Sequence, residues 1–160
     1  MIPPPAAIPS GDVPRFRAAL DAIYAALDAE IARRAPVCRL SGRCCRFAEY
    51  GHTLFLTAPE AARLLADAPP PSRPLDDGET CPWQDARGHC TAREARPLGC
   101  RVYYCDPTFD REAAALSESA LDRIKHLADS LGIPRGYAPL HAHLRRAASE
   151  GRFPAATPGT

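Results

Sequence analysis

Seven cysteines carry the chemistry this chain is able to do: Cys38, Cys44, Cys45, Cys81, Cys90, Cys100 and Cys105. They fall into three groups, the first ending in a vicinal pair, and they stand among Gly, Pro and Arg. Buried structural cysteines prefer the apolar faces of regular elements. Thiolates bind soft or borderline ions, zinc and iron above all, because sulfur donates charge well and the ion holds it deprotonated. All seven are therefore the ligand pool for a metal centre. Two ligands on one zinc, each at about 2.3 Å, bring their sulfurs to roughly 4 Å. Cys44 and Cys45 point apart in an extended backbone, so they share one zinc only if the chain turns sharply. An iron-sulfur cluster, whose ligands attach to separate irons, relaxes that demand. A surplus over four thiols favours the cluster; a single structural zinc with bystander thiols competes with it.

Other polar groups lie close by in sequence. His52 and His89 are candidate ligands or donors to a ligand, with a solvated turn as the plainer reading of His89. Arg43, Arg46, Arg96 and Arg101 flank the thiols and would offset the charge of a thiolate centre, or else are surface arginines. Trp83, Tyr103 and Tyr104 read as an apolar lid over the site. His126, His141 and His143 belong to helices, and the spacing of the last two sets them on different faces. No phosphate-binding glycine loop, zincin motif or paired-carboxylate signature is present.

The run Cys38 to Cys45, then Cys81-Pro82 with Cys90 after a short turn, then Arg96-Pro97-Leu98-Gly99-Cys100-Arg101 followed by Tyr104-Cys105, resembles the YkgJ-type cysteine-cluster family of zinc- or iron-chelating proteins. The likeness spans Cys38 to Cys105. The first block of that family reads C-x2-C-x2-C-C, and Ser41 stands here at its second cysteine, so one ligand position is altered. The cysteine-rich region of flagellin lysine N-methylases is also similar, and that likeness implies a 4Fe-4S centre. The resemblance implies a metal site; it does not carry over the methylation reaction.

The elements that must position these residues read as follows. Phe16, Leu20, Ile23, Tyr24, Leu27 and Ile31 recur at helical spacing up to Pro36. Thr53 to Leu56 suits a short strand. Thr57 and Glu60 have capping-box spacing before a helix to about Ala66, and Pro69, Pro70, Pro71 and Pro74 form a stiff surface linker. Residues 81–90 read as a β-hairpin that turns at Asp85 and Gly88. Thr91 and Glu94 repeat the capping spacing ahead of Pro97, leaving Cys100 and Cys105 on a loop. Leu116, Ala120, Ile124, Leu127 and Leu131 mark a long helix closed by Gly132, on which a shorter helix from Leu140 to Ala148 is expected to pack.

Composition bounds the rest. The chain has 160 residues, enough for one domain. Its net charge is +1, with 20 basic and 19 acidic residues, so no strong field attracts nucleic acid or an anionic membrane. Met1 to Ser10 lacks the pattern of a signal peptide and no stretch reads as a membrane span, so a cytoplasmic setting is expected, where thiols are more often ligands than disulfides. Large apolar side chains are sparse between Arg34 and Thr108, so that segment needs a second source of stability. The expectation is a mainly α fold: a small helical domain over 13–150 with an irregular cysteine-rich metal-binding core at 38–105 and a short β-hairpin, between tails 1–12 and 151–160. Its leading function is to hold an iron-sulfur centre with a redox or accessory role. The alternatives are a structural zinc-binding module with a protein partner and a methyltransferase-like enzyme.

Overall fold

The computed structural model describes residues 5 and 7–154. The chain is mainly helical, and six α-helices carry the described residues around a two-stranded antiparallel sheet. Helix α1 (Val13–Arg34) buries Phe16, Leu20, Ile23, Tyr24, Leu27 and Ile31 on one face. Pro14 lies in its first turn, where a missing N–H costs nothing. The chain leaves the helix at Ala35, which adopts a left-handed φ of +48° and donates its N–H to the Ile31 carbonyl at 3.0 Å.

Short helix α2 (Phe47–Tyr50) leads to strand β1 (Phe55–Leu56), then α3 (Ala58–Asp67) and the one-turn helix α4 (Leu98–Arg101). After these come α5 (Asp110–Ser130), β2 (Ala138–Pro139) and α6 (Leu140–Ser149). Helix α3 starts with the capping box read from Thr57 and Glu60: Thr57 Oγ1 accepts from the Glu60 N–H, and Glu60 Oε2 accepts from the Thr57 N–H at 2.9 Å.

Two apolar cores meet at α3. The first joins α1 to α5 through Ile124 and Ala128, with Ala58 and Ala62 of α3 at its edge. The second gathers Leu56, Leu64, Trp83, Leu140 and Leu144 around Cys45 and Cys81. Helix α6 therefore packs on α3 and the second core, not on α5 as its position after α5 led one to expect. The physical reason is the sheet. Leu56 pairs with Ala138 and Phe55 with Pro139, which draws the start of α6 across the molecule to β1. The middle of the chain, although poor in large apolar residues, thus acquires a core by borrowing the apolar face of α6.

The expected hairpin at 81–90 is present in minimal form, a turn at Asp85 to Gly88 closed by one antiparallel bridge, Gln84 to Cys90, while the regular sheet is the long-range β1–β2 pair. The proline linker is tied down, since Pro69 accepts from Trp83 Nε1 at 2.7 Å and Pro82 accepts from the Ser72 N–H at 2.8 Å. Within the segments read as tails, Ile8 is buried against the first core, Ser10–Asp12 forms a 3₁₀ turn, and Phe153 packs edge-on against Trp83 at 5.7 Å. The rest of those tails, residues 1–4, 6 and 155–160, lies outside the described residues. No described helix is long and apolar enough to cross a membrane.

Candidate functional site

Three chain segments deliver the cysteines. In the first, Gly42 at φ +73° opens a 3₁₀ turn over Arg43–Cys45, which is the sharp bend the vicinal pair requires. A Cβ on Gly42 would stand 2.3 Å from the Gly88 carbonyl oxygen, so only glycine lets this loop touch the second segment. The buried Gln84 side chain staples the two together, donating from Nε2 to the carbonyls of Gly42 and Gly88 at 3.1 Å each.

The second segment runs from Cys81 to Cys90. Asp85 Oδ1 accepts from the N–H groups of Arg87 and His89, both at 2.9 Å, and Gly88 completes the turn at φ +84°. The backbone N–H groups of His89 and Arg87 hold the Asp85 carboxyl below its ordinary range. The expected helix cap at Thr91 is absent. Its Oγ1 instead donates to the Trp83 carbonyl at 2.9 Å, and Arg93–Ala95 forms a 3₁₀ turn.

In the third segment Cys100 sits on α4 and not on a loop. That short helix is anchored by Glu60, a carboxylate 2% exposed. Glu60 Oε1 accepts from the Leu98 N–H at 2.8 Å and from the Tyr24 hydroxyl at 2.9 Å. One buried side chain thus joins α1, α3 and α4. Burial, followed by the Glu60 charge, pushes the Tyr24 hydroxyl well up.

The result is that Cys44, Cys45, Cys81, Cys90 and Cys100 lie together. Hydrogen bonding to Cys45 lowers Cys44 to about 7 and Cys90 to about 6, while Cys45, which interacts with Cys44, Cys81 and Cys90, is raised. Burial pushes the Cys100 thiol well up, and the nearby Cys81, Cys44 and Cys90 add to this. Among the described residues, no three His, Cys, Asp or Glu side chains are already set around one ion position.

Cys105 has its sulfur 3.3 Å from Ser41 Oγ, and Cys38 is exposed. Both line a pocket of about 360 Å³ whose floor includes Cys44, Cys45, Cys90 and Cys100. Cys81 does not line this pocket; with Cys44, Cys45, Cys90 and Cys100 it borders a second, smaller cavity that Trp83, Leu64 and Leu140 also line. Tyr103 and Tyr104 line the pocket, whereas Trp83 is core: it is 2% exposed.

The flanking polar residues divide. Arg96 draws down Cys44 and Cys90, and Arg93, which the sequence reading passed over, also acts on Cys90. Arg101 turns away from sulfur. It donates to Asp28 at 2.7 Å and to the Arg96 carbonyl at 2.7 Å, with its guanidinium 4.2 Å from the Tyr24 ring centre. Arg46 donates to the Ser41 carbonyl at 2.6 Å and pairs with Glu49. His52 Nε2 stands 3.4 Å from the Cys44 carbonyl rather than facing its sulfur, and His89 is exposed at the pocket edge. His126 caps its own helix turn on the Asp122 carbonyl at 2.7 Å. His141 packs edge-on against Phe47 at 5.9 Å, whereas His143 Nε2 meets the Leu56 carbonyl at 3.0 Å, so the two have separate surroundings. Besides Arg93, the structural roles of Gln84 and of Glu60 beyond its cap lay outside sequence reasoning, since each depends on partners more than thirty residues away.

No protein family, curated protein or solved structure matches the chain.

Proposed function

We propose that this chain is a metal-binding cysteine-cluster protein holding a centre of the 4Fe-4S type, with a redox or accessory role. The observation that carries the reading is the meeting of five thiols from three separated segments, Cys44, Cys45, Cys81, Cys90 and Cys100, two of them lowered to about 7 and about 6. Soft donors crowded together, with access to the thiolate form near neutral pH, are the donor set that iron and zinc select. These five are the inner ligand candidates, with Cys105 and Cys38 in reserve at the pocket. The resemblance to the YkgJ-type family points the same way.

Such a centre, when bound, supplies electron transfer. The chain's own contribution is to exclude water on the inner side with Trp83, Leu64 and Leu140, and to offset negative charge with Arg93 and Arg96. Zinc is the second reading, and one feature favours it: the 3₁₀ turn at Arg43–Cys45 removes the objection that a vicinal pair cannot serve one ion. Anaerobic purification followed by absorption spectroscopy and elemental analysis decides between them. Iron and sulfide with broad visible absorption is the expected result; a colourless protein with stoichiometric zinc refutes the cluster, and a metal-free protein with freely reactive inner thiols refutes both.

A further inference from the structure

The pocket beside the thiols has features that ligation alone does not account for. Its volume of about 360 Å³ falls in the range of roughly 300–1,000 Å³ usual for small-molecule sites. Arg43, Arg93 and Arg96 line it, and no Asp or Glu does among the described residues. Several arginines elsewhere in the molecule are paired, Arg63 with Asp21, Arg101 with Asp28 and Arg135 with Asp129. None of the three pocket arginines has an ion pair to a carboxylate among the described residues.

Arg93 and Arg96 both lie close enough to Cys90 for their charge to act on it. The charge of Arg43 reaches Tyr103 in the same lining, and its guanidinium lies 5.1 Å from the Tyr50 ring centre. At the pocket edge, Leu40 is 63% exposed and holds a φ of +50°. A bulky apolar residue in the left-handed region is strained, and such strain tends to gather at binding sites. Leu40, Tyr103 and Tyr104 add apolar surface to the same lining.

We propose that this pocket binds a small organic carboxylate, its charged group received by Arg43 and its apolar body lying on Leu40, Tyr103 and Tyr104. A planar carboxylate matches the fork of a guanidinium, and the apolar surface selects an acid with a hydrocarbon or aromatic body over a bare inorganic anion. The inference goes beyond metal binding. It shares the thiol floor with that reading, but not its choice of metal.

The test is titration of the purified protein with benzoate and, separately, with neutral benzamide of the same shape, followed by amide NMR shifts and calorimetry. Metal content is measured on every sample. Benzoate should shift residues around Leu40, Arg43 and Tyr103 and bind at least about tenfold more tightly than benzamide, the discrimination a charge-assisted bidentate contact provides. Arg43→Gln should erase that preference with metal content and melting unchanged, while Arg123→Gln, on the far helix, leaves it intact. Equal binding of the two probes, no binding of either, or an Arg43→Gln protein that keeps its preference overturns the proposal. A protein devoid of iron and zinc that still prefers benzoate refutes the metal reading alone.

Discussion

The backbone N–H of Cys81 donates to the carbonyl of Cys45 at 2.8 Å, so two cysteines 36 residues apart are held by the main chain and not only by their sulfurs. Ala48 makes a parallel tie to the Glu79 carbonyl at 3.1 Å. These bonds fix the backbone around Cys45 and Cys81 without help from sulfur, which would lower the entropy cost of assembling the proposed centre. They also separate two properties that small metal domains often merge, ligation and folding.

That separation shapes the effect of removing single thiols. Cys100→Ser should lose metal, because the inner set is broken, yet keep most of its helical signal, because Trp83, Leu56, Leu140 and Leu144 still form the second core. Cys38→Ser should retain metal, since Cys38 is exposed and outside the inner five. Metal analysis and circular dichroism of the two variants check this; equal metal content in both would count against the inner assignment.

Gly42→Ala places a Cβ 2.3 Å from the Gly88 oxygen at a φ of +73°. Backbone clash and left-handed strain together should cost on the order of 3 kcal/mol and drive Cys44 and Cys45 from Cys90. Urea denaturation reads the first effect and metal content the second. Gly78→Ala, where nothing lies within 4 Å, is the control for strain without a clash.

Glu60→Gln puts a donor NH₂ where the carboxylate accepts from Tyr24, Leu98 and Thr57. At least one of those donors is then left facing another donor, a loss of about 2–3 kcal/mol for a buried charged acceptor. Because Leu98 begins the helix that carries Cys100, the same variant should also weaken metal retention. A melting temperature equal to that of the parent protein would contradict this account of α4.

Acid should destabilise the fold through His143. Burial holds its pKa below the ordinary 6.5, and Nε2, facing the Leu56 carbonyl, must carry the proton of the neutral ring and donate it. Above pH 6.5 the ring is neutral in both folded and unfolded chains, so its contribution is fully present. As pH falls below 6.5, the unfolded chain takes up a proton that the folded one resists, and stability declines toward the lowered folded pKa. His141, also depressed first by burial, acts in the same direction. Denaturation at about pH 7.5 and about pH 5.5 should show a drop in stability that His143→Gln makes smaller. An identical drop in the variant would show that His143 is not the group responsible.

The sequence alone determined the local elements with strong periodicity or capping, though not the short turns around Thr91 and Cys100. The stripe from Phe16 to Ile31 specified α1 and Thr57 with Glu60 specified the start of α3, because each depends on neighbours within a few residues, and the seven thiols among Gly, Pro and Arg raised the expectation of soft-ligand chemistry. Tertiary structure alone decided the rest. That Cys45 meets Cys81 and Cys90 while Cys105 turns to Ser41, that Arg101 serves Asp28 while Arg93 and Arg96 serve the thiols, and that α6 completes the second core all depend on contacts between distant segments. Side-chain direction in such loops follows from backbone bonds such as Cys81 to Cys45 and from close approaches such as Gly42 to Gly88, and no periodicity encodes them.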